Sequence, residues 1–121
     1  DVRRHQGLMV PGHAQVAGIA ALEDQTHVDV QRARYESRLK RLIEVLSLVG
    51  VEAEMPRGSF YLWVPSPKKD SGKLALQLAE TLGIVSVPGE TYGARGAGYV
   101  RLAAIVSEDD LSLLENRAQS A

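Results

Sequence analysis

Residues 83–104, GIVSVPGETYGARGAGYVRLAA, limit the possible folds of this chain more than any other stretch. Two short apolar runs, 84–87 and 99–104, flank a loop containing Gly89, Gly93, Gly96 and Gly98. Such runs bounded by glycine predict two strands, and Pro88-Gly89 predicts a tight turn after the first. Inside the second run one cation, Arg101, interrupts Val100, Leu102, Ala103 and Ala104. A cation in such a strand is costly to bury without an anionic partner. Its planar fork is also suited to gripping a carboxylate through two parallel hydrogen bonds. The local expectation is an anion-binding arginine on a rigid strand, beside a loop able to approach a ligand closely. Two plainer alternatives stand beside it: a hairpin-like connection, and an edge-strand arginine pointing to water. The glycine spacing matches neither GxGxxG between strand and helix nor the GxxxxGK[ST] phosphate loop.

The remaining elements follow from periodicity. Residues 15–22 are alanine- and aliphatic-rich and predict a short buried helix. A polar break covers 23–26. From His27 the pattern turns strongly helical: Val28, Tyr35, Leu39, Leu42, Ile43, Leu46 and Val49 form one apolar stripe, and Gly50 ends it. Residues 51–55 predict a short strand and Pro56-Arg57-Gly58 a turn. Residues 59–64 alternate, with Phe60, Leu62 and Val64 on one face and Ser59, Tyr61 and Trp63 on the other. After a 65–72 loop, Asp70 or Ser71 caps a helix over 73–82, which Gly83 ends. A last helix starts near Ser107, where Ser107 and Asp110 make a capping box and Leu111, Leu114 and Ala118 form the buried stripe. This order predicts an α+β fold, a small antiparallel or mixed sheet covered by helices.

Charge and composition narrow the function. Fourteen Lys and Arg against fifteen Asp and Glu leave a formal net charge of -1, so no basic excess points to nucleic acid. With no cysteine, disulfides and thiolate metal sites are excluded, and a reducing, cytoplasmic location is compatible. No apolar run approaches a bilayer-spanning length, so no membrane partner is expected. The chain opens DVRRHQG and reads as if cut from something longer. His5, His13 and His27 are far apart in sequence and form no metal-ligand spacing. Ser59 and Ser86 lack a nucleophile elbow. The aromatic run 60–63 predicts sheet packing rather than a stacking platform, and the arginines of the long helix predict a solvated face.

Gly58-Ser59-Phe60-Tyr61-Leu62-Trp63, then Gly83-Ile84-Val85-Ser86-Val87-Pro88-Gly89, Tyr92-Gly93 and Gly98-Tyr99-Val100-Arg101-Leu102, follow one another in an order that resembles the C-terminal part of class I/II pyridoxal-phosphate aminotransferases. Gly7-Leu8-Met9-Val10-Pro11, Gln15, the alanine-rich helix, Tyr35 and Arg38 extend the resemblance over nearly the whole chain. The general similarity is greatest to the N-succinyldiaminopimelate aminotransferases of lysine and cell-wall precursor synthesis. The resemblance implies that residues 1–26 lead from a large domain and that 27–121 form the small domain closing over the substrate. It implies that Arg101 binds the substrate α-carboxylate, that the substrates are an amino acid and a 2-oxo acid, and that the full-length enzyme is a homodimer. Glu90-Thr91 departs from the family pattern, where small or hydroxyl residues precede an aromatic. None of Lys40, Lys68, Lys69 and Lys73 stands in the family's cofactor-lysine context. Pyridoxal 5'-phosphate is therefore expected only in the full-length enzyme, with no catalytic or cofactor-binding residue in this chain, which alone should not transaminate. The alternative is a stand-alone α+β carboxylate-binding or regulatory module without activity.

Overall fold

The computed structural model describes residues 5–7 and 9–121; Leu8 of the amino-terminal motif lies outside them. By contacts the chain divides into two compact units, Asp1–Ala33 and Arg34–Ala121.

In the first unit, α1 (Gly12–Glu23) confirms the alanine-rich helix but not its burial. Val16, Ile19 and Leu22 are all exposed, Leu22 at 88%. Alanine favours the helical backbone whether or not a partner covers the side chains. The expected polar break shrinks to Asp24. Its carboxylate accepts the Thr26 N–H at 3.0 Å and pairs with His27 Nδ1 at 2.9 Å. Capping of this kind satisfies the first free N–H groups of a helix, so α2 (Gln25–Leu48) restarts at once.

In the second unit, α2 buries Leu39, Leu42, Val45 and Leu46. Gly50, at φ +75°, turns the chain out of the helix. The Gly50 and Val51 N–H groups return to the Ser47 and Leu46 carbonyls. That closure spends the Val51 backbone and buries its side chain, and the strand expected over 51–55 does not form. Ser59 adopts φ +75°, and β1 (Tyr61–Pro65) follows.

Helix α3 (Ser71–Leu82) starts two residues earlier than expected, because the Asp70 side chain accepts the Lys73 N–H. Left-handed Gly83 ends it. The Ile84 N–H then bonds to Leu78 O, so the strand expected over 84–87 contracts to β2 (Val87–Pro88). Two 3₁₀ turns, Gly89–Tyr92 and Ala94–Gly96, lead to β3 (Tyr99–Ala103). Helix α4 (Glu108–Gln119) opens with the Ser107–Asp110 capping box.

The fold is the expected α+β type. Its three strands form one antiparallel sheet in the order β1-β3-β2, with Trp63 and Val87 both registered on Arg101. Leu62, Val64, Val100 and Leu102 belong to the core formed with α2, α3 and α4, at 0–2% exposure. Across the helices, Arg41 of α2 pairs with Glu108 and Glu115 of α4 at 2.6 and 2.7 Å.

Candidate functional site

Strand alternation assigns the two faces of the sheet. Val100 and Leu102 point into the core, so Tyr99, Arg101 and Ala103 point the other way. The antiparallel register lays Pro65, Trp63 and Tyr61 of β1 beside those three. Arg101 therefore stands at the middle of the outer face, on the central strand rather than an edge.

Its partners are aromatic. The guanidinium carbon lies 4.3 Å from the Tyr61 ring centroid and 4.7 Å from that of Tyr92. Trp63 stacks on Tyr99 at 5.5 Å and meets the edge of Tyr92 at 6.0 Å. Among the described residues Arg101 forms no ion pair, and none accepts a hydrogen bond from it. Ring faces hold a cation through its charge alone, which leaves the N–H donors of the fork unspent. The sequence led to an anionic partner; within this chain the rings of Tyr61 and Tyr92 take that place. The result is a half-buried cation, held between two rings, with its N–H donors unspent among the described residues. Alongside, Tyr61, Trp63, Pro65, Tyr99, Met55 and Arg57 help line a cleft of about 750 Å³.

The glycine loop supports this stack through close backbone packing. A Cβ on Gly89 would fall 2.1 Å from the Gly96 carbonyl oxygen, so the two 3₁₀ turns touch where only glycine fits. Glu90 accepts hydrogen bonds from the Ser71 hydroxyl at 2.5 Å and the Gly98 N–H at 3.2 Å. Ser71 first, then backbone N–H groups including that of Gly98, hold the Glu90 carboxyl below its ordinary value. Tyr61, Tyr92 and Glu90 were not assigned these roles from sequence. Period-2 spacing from Trp63 points to Tyr61, and the Glu90-Thr91 pair marks the loop, but the contacts join residues eight to forty positions apart.

The other candidates lie elsewhere. His27 is paired with Asp24 on α2, and Ser86 Oγ is buried without a hydrogen-bond partner among the described residues. Among those residues no cluster of His, Asp or Glu could hold a metal, and no helix is long and apolar enough to cross a membrane. Lys40 pairs with Glu36 and Lys73 with Asp70, at 62% and 80% side-chain exposure, while Lys68 and Lys69 are exposed loop residues.

A small sheet backed by helices presents a stacked arginine on its open face. The comparisons identify the class of the chain. Residues 2–116 match the model of the family described as aminotransferase class I and II, and the chain belongs to that family. It is 44% identical over 100 residues to an LL-diaminopimelate aminotransferase of Syntrophobacter fumaroxidans, covering 78% of this chain and 25% of that protein. It is 37% identical to the 4-dedimethylamino-4-oxo-anhydrotetracycline transaminase OxyQ of Streptomyces rimosus, covering 93% of this chain and 31% of the relative. Among solved structures, a mutant aspartate aminotransferase of Thermus thermophilus superposes with TM-score 0.77 at 30% identity, covering 99% of this chain and 34% of that one. The chain thus spans about a quarter to a third of the length of the relatives it matches.

Proposed function

We propose that this chain is the substrate-closing small domain of a pyridoxal-phosphate aminotransferase, and that Arg101 binds the α-carboxylate of the amino acid and of the 2-oxo acid. The carrying observation is the Arg101 stack, a cation fixed on the central strand with its donors free. Residues 1–26 lead from the large domain and 27–121 form the small domain; a cytoplasmic homodimer is the assembly assigned. Holding the carboxylate orients the reacting C–N bond, which is itself a contribution to rate.

Members of the family use pyridoxal 5'-phosphate, which when bound supplies the electron sink for amino transfer. The residues here do not fit its attachment. An imine-forming lysine works from a desolvated or cation-flanked site, whereas Lys40 and Lys73 are ion-paired on the surface. The cofactor lysine is accordingly assigned to the rest of the protein, and this chain alone to an inactive fragment.

The diaminopimelate skeleton, as N-succinyl-LL-diaminopimelate, is the finer substrate assignment. The name of the Syntrophobacter relative, an LL-diaminopimelate aminotransferase, supports the diaminopimelate skeleton, and the resemblance of the amino-terminal half supports the N-succinyl form. Its test uses the full-length protein with cofactor and pyruvate or 2-oxoglutarate as acceptor. Donors are N-succinyl-LL-diaminopimelate and Nα-succinyl-L-lysine, which differ only by the α-carboxyl beside the reacting amine. Arg101→Lys keeps the charge and loses the fork. It should lower kcat/KM for the first donor about ten- to a hundredfold, because a hydrogen bond to a charged group is worth about 1.5–3 kcal/mol. The second donor should change far less. Equal losses would make Arg101 structural. Transfer from LL-diaminopimelate or L-glutamine alone would correct the substrate and leave the Arg101 role to be read with those donors.

A further inference from the structure

Glu90 is the residue that the carboxylate-binding role of Arg101 leaves unexplained. Its two carboxylate oxygens face two different elements. One accepts from the hydroxyl of Ser71, the first residue of α3, at 2.5 Å; the other accepts from the N–H of Gly98, which leads into β3, at 3.2 Å. The Gly98 carbonyl is also held, by the Ser66 N–H at 2.8 Å. Gly98 itself has φ +80° and lies against Lys69, where a Cβ would approach Lys69 Cα to 3.1 Å. Glu90 shares the first 3₁₀ turn with Tyr92, whose ring stacks on Arg101. Arg101 follows Gly98 by three residues. One side chain therefore ties down both halves of the Tyr92–Arg101 contact: the turn that carries the ring and the strand entry that carries the cation.

We infer that Glu90 is a positioning residue for carboxylate binding: by bridging Ser71 and Gly98 it fixes the Tyr92 turn against β3 and so sets the orientation of the Arg101 fork. The physical basis is that bidentate recognition tolerates little rotation of the guanidinium plane, while a stacked ring controls that plane. A glycine-rich turn does not hold a ring in place unaided, because each glycine widens the accessible backbone conformations. The inference rests on the Arg101 reading above.

The test is made in the full-length holoenzyme, with N-succinyl-LL-diaminopimelate and Nα-succinyl-L-lysine as the donor pair. L-glutamine and 4-aminobutanamide form a second pair differing in the same group. Glu90→Ala should raise KM for the carboxylate-bearing donor about five- to tenfold, with kcat and the amine donor changed less than about twofold. Glu90→Gln should recover most of the loss, since its carbonyl still accepts from Gly98 and its amide can donate to Ser71. Ser71→Ala, which removes one tether, should raise the same KM about twofold. Combined with Arg101→Lys, Glu90→Ala should add little, because both act on one contact. Equal losses on both donors of a pair, or full additivity with Arg101→Lys, would overturn the inference. Should Glu90→Ala fail to fold, Glu90→Gln and Ser71→Ala carry the same comparison. A selective Arg101→Lys beside unselective Glu90 variants removes only the Glu90 role; an unselective Arg101→Lys removes the carboxylate reading and this inference with it.

Discussion

The two faces of one three-stranded sheet are built from neighbouring residues and do opposite things. The inner face carries Leu62, Val64, Val100 and Leu102, closed by helices and free of polar side-chain atoms. The outer face carries Tyr61, Trp63, Tyr99 and Arg101, half-buried or exposed, joined by ring stacking and cation–π contact. A one-residue step along a strand separates a side chain closed into the core from one whose ring face or N–H donors stay open. Aliphatic closure maximises apolar area removed from water, whereas the outer face keeps hydrogen-bond donors ready and leaves aromatic surface open.

The sharpest way to break this contrast is to truncate one residue on each side of the same strand. Leu62→Ala should destabilise the fold by about 3–4 kcal/mol, since a fully buried leucine leaves a cavity. Trp63→Ala, at 40% exposure, should cost about 1.5 kcal/mol despite removing more atoms. Urea midpoints of the two variants decide it, and equal shifts would make the outer face a second core.

A smaller effect probes the helices that close the inner face. Ser107→Ala removes the cap of α4 and should cost about 1 kcal/mol by the same measurement, leaving the outer-face aromatic contacts untouched. Stability on this side should also depend on acid. The Arg41 guanidinium holds the Glu115 carboxyl below its ordinary value, and the Ser107 hydroxyl and N–H do the same for Asp110. Lowered folded values mean stabilisation that is present above the ordinary carboxylate range and lost as the pH falls through the folded values. The urea midpoint should therefore drop below about pH 4, and Glu115→Gln should flatten that slope. A midpoint constant from pH 6 to pH 2.5 would contradict it.

The smallest expected change tunes the outer face without emptying it. In the full-length enzyme Tyr92→Leu should weaken binding of the carboxylate-bearing donor about two- to fivefold, because an exposed cation–π contact is worth about 0.5–1 kcal/mol. Tyr92→Phe keeps the ring and should stay near the parent value. If Phe is as damaging as Leu, the hydroxyl and not the ring is what Arg101 needs.

Much of this molecule is legible in its sequence. The α2 stripe, the Asp70 and Ser107 caps, the Gly50 and Gly83 terminators and the β1 and β3 alternation depend on local sterics, capping hydrogen bonds and side-chain period, all written within a few residues. Arg101 stands out for the same reason: a cation among apolar neighbours is conspicuous in one dimension. Tertiary structure decided the rest. Whether 51–55 and 84–86 became strands turned on which backbone partners their N–H groups found, and the helix ends hold those of Val51 and Ile84. Helix propensity does not specify burial, and within this chain Val16, Ile19 and Leu22 of α1 are exposed. The Tyr61–Arg101–Tyr92 stack and the Glu90 bridge join residues up to forty positions apart. Such contacts depend on how the sheet and loop close in three dimensions, and no local rule of period or propensity contains them.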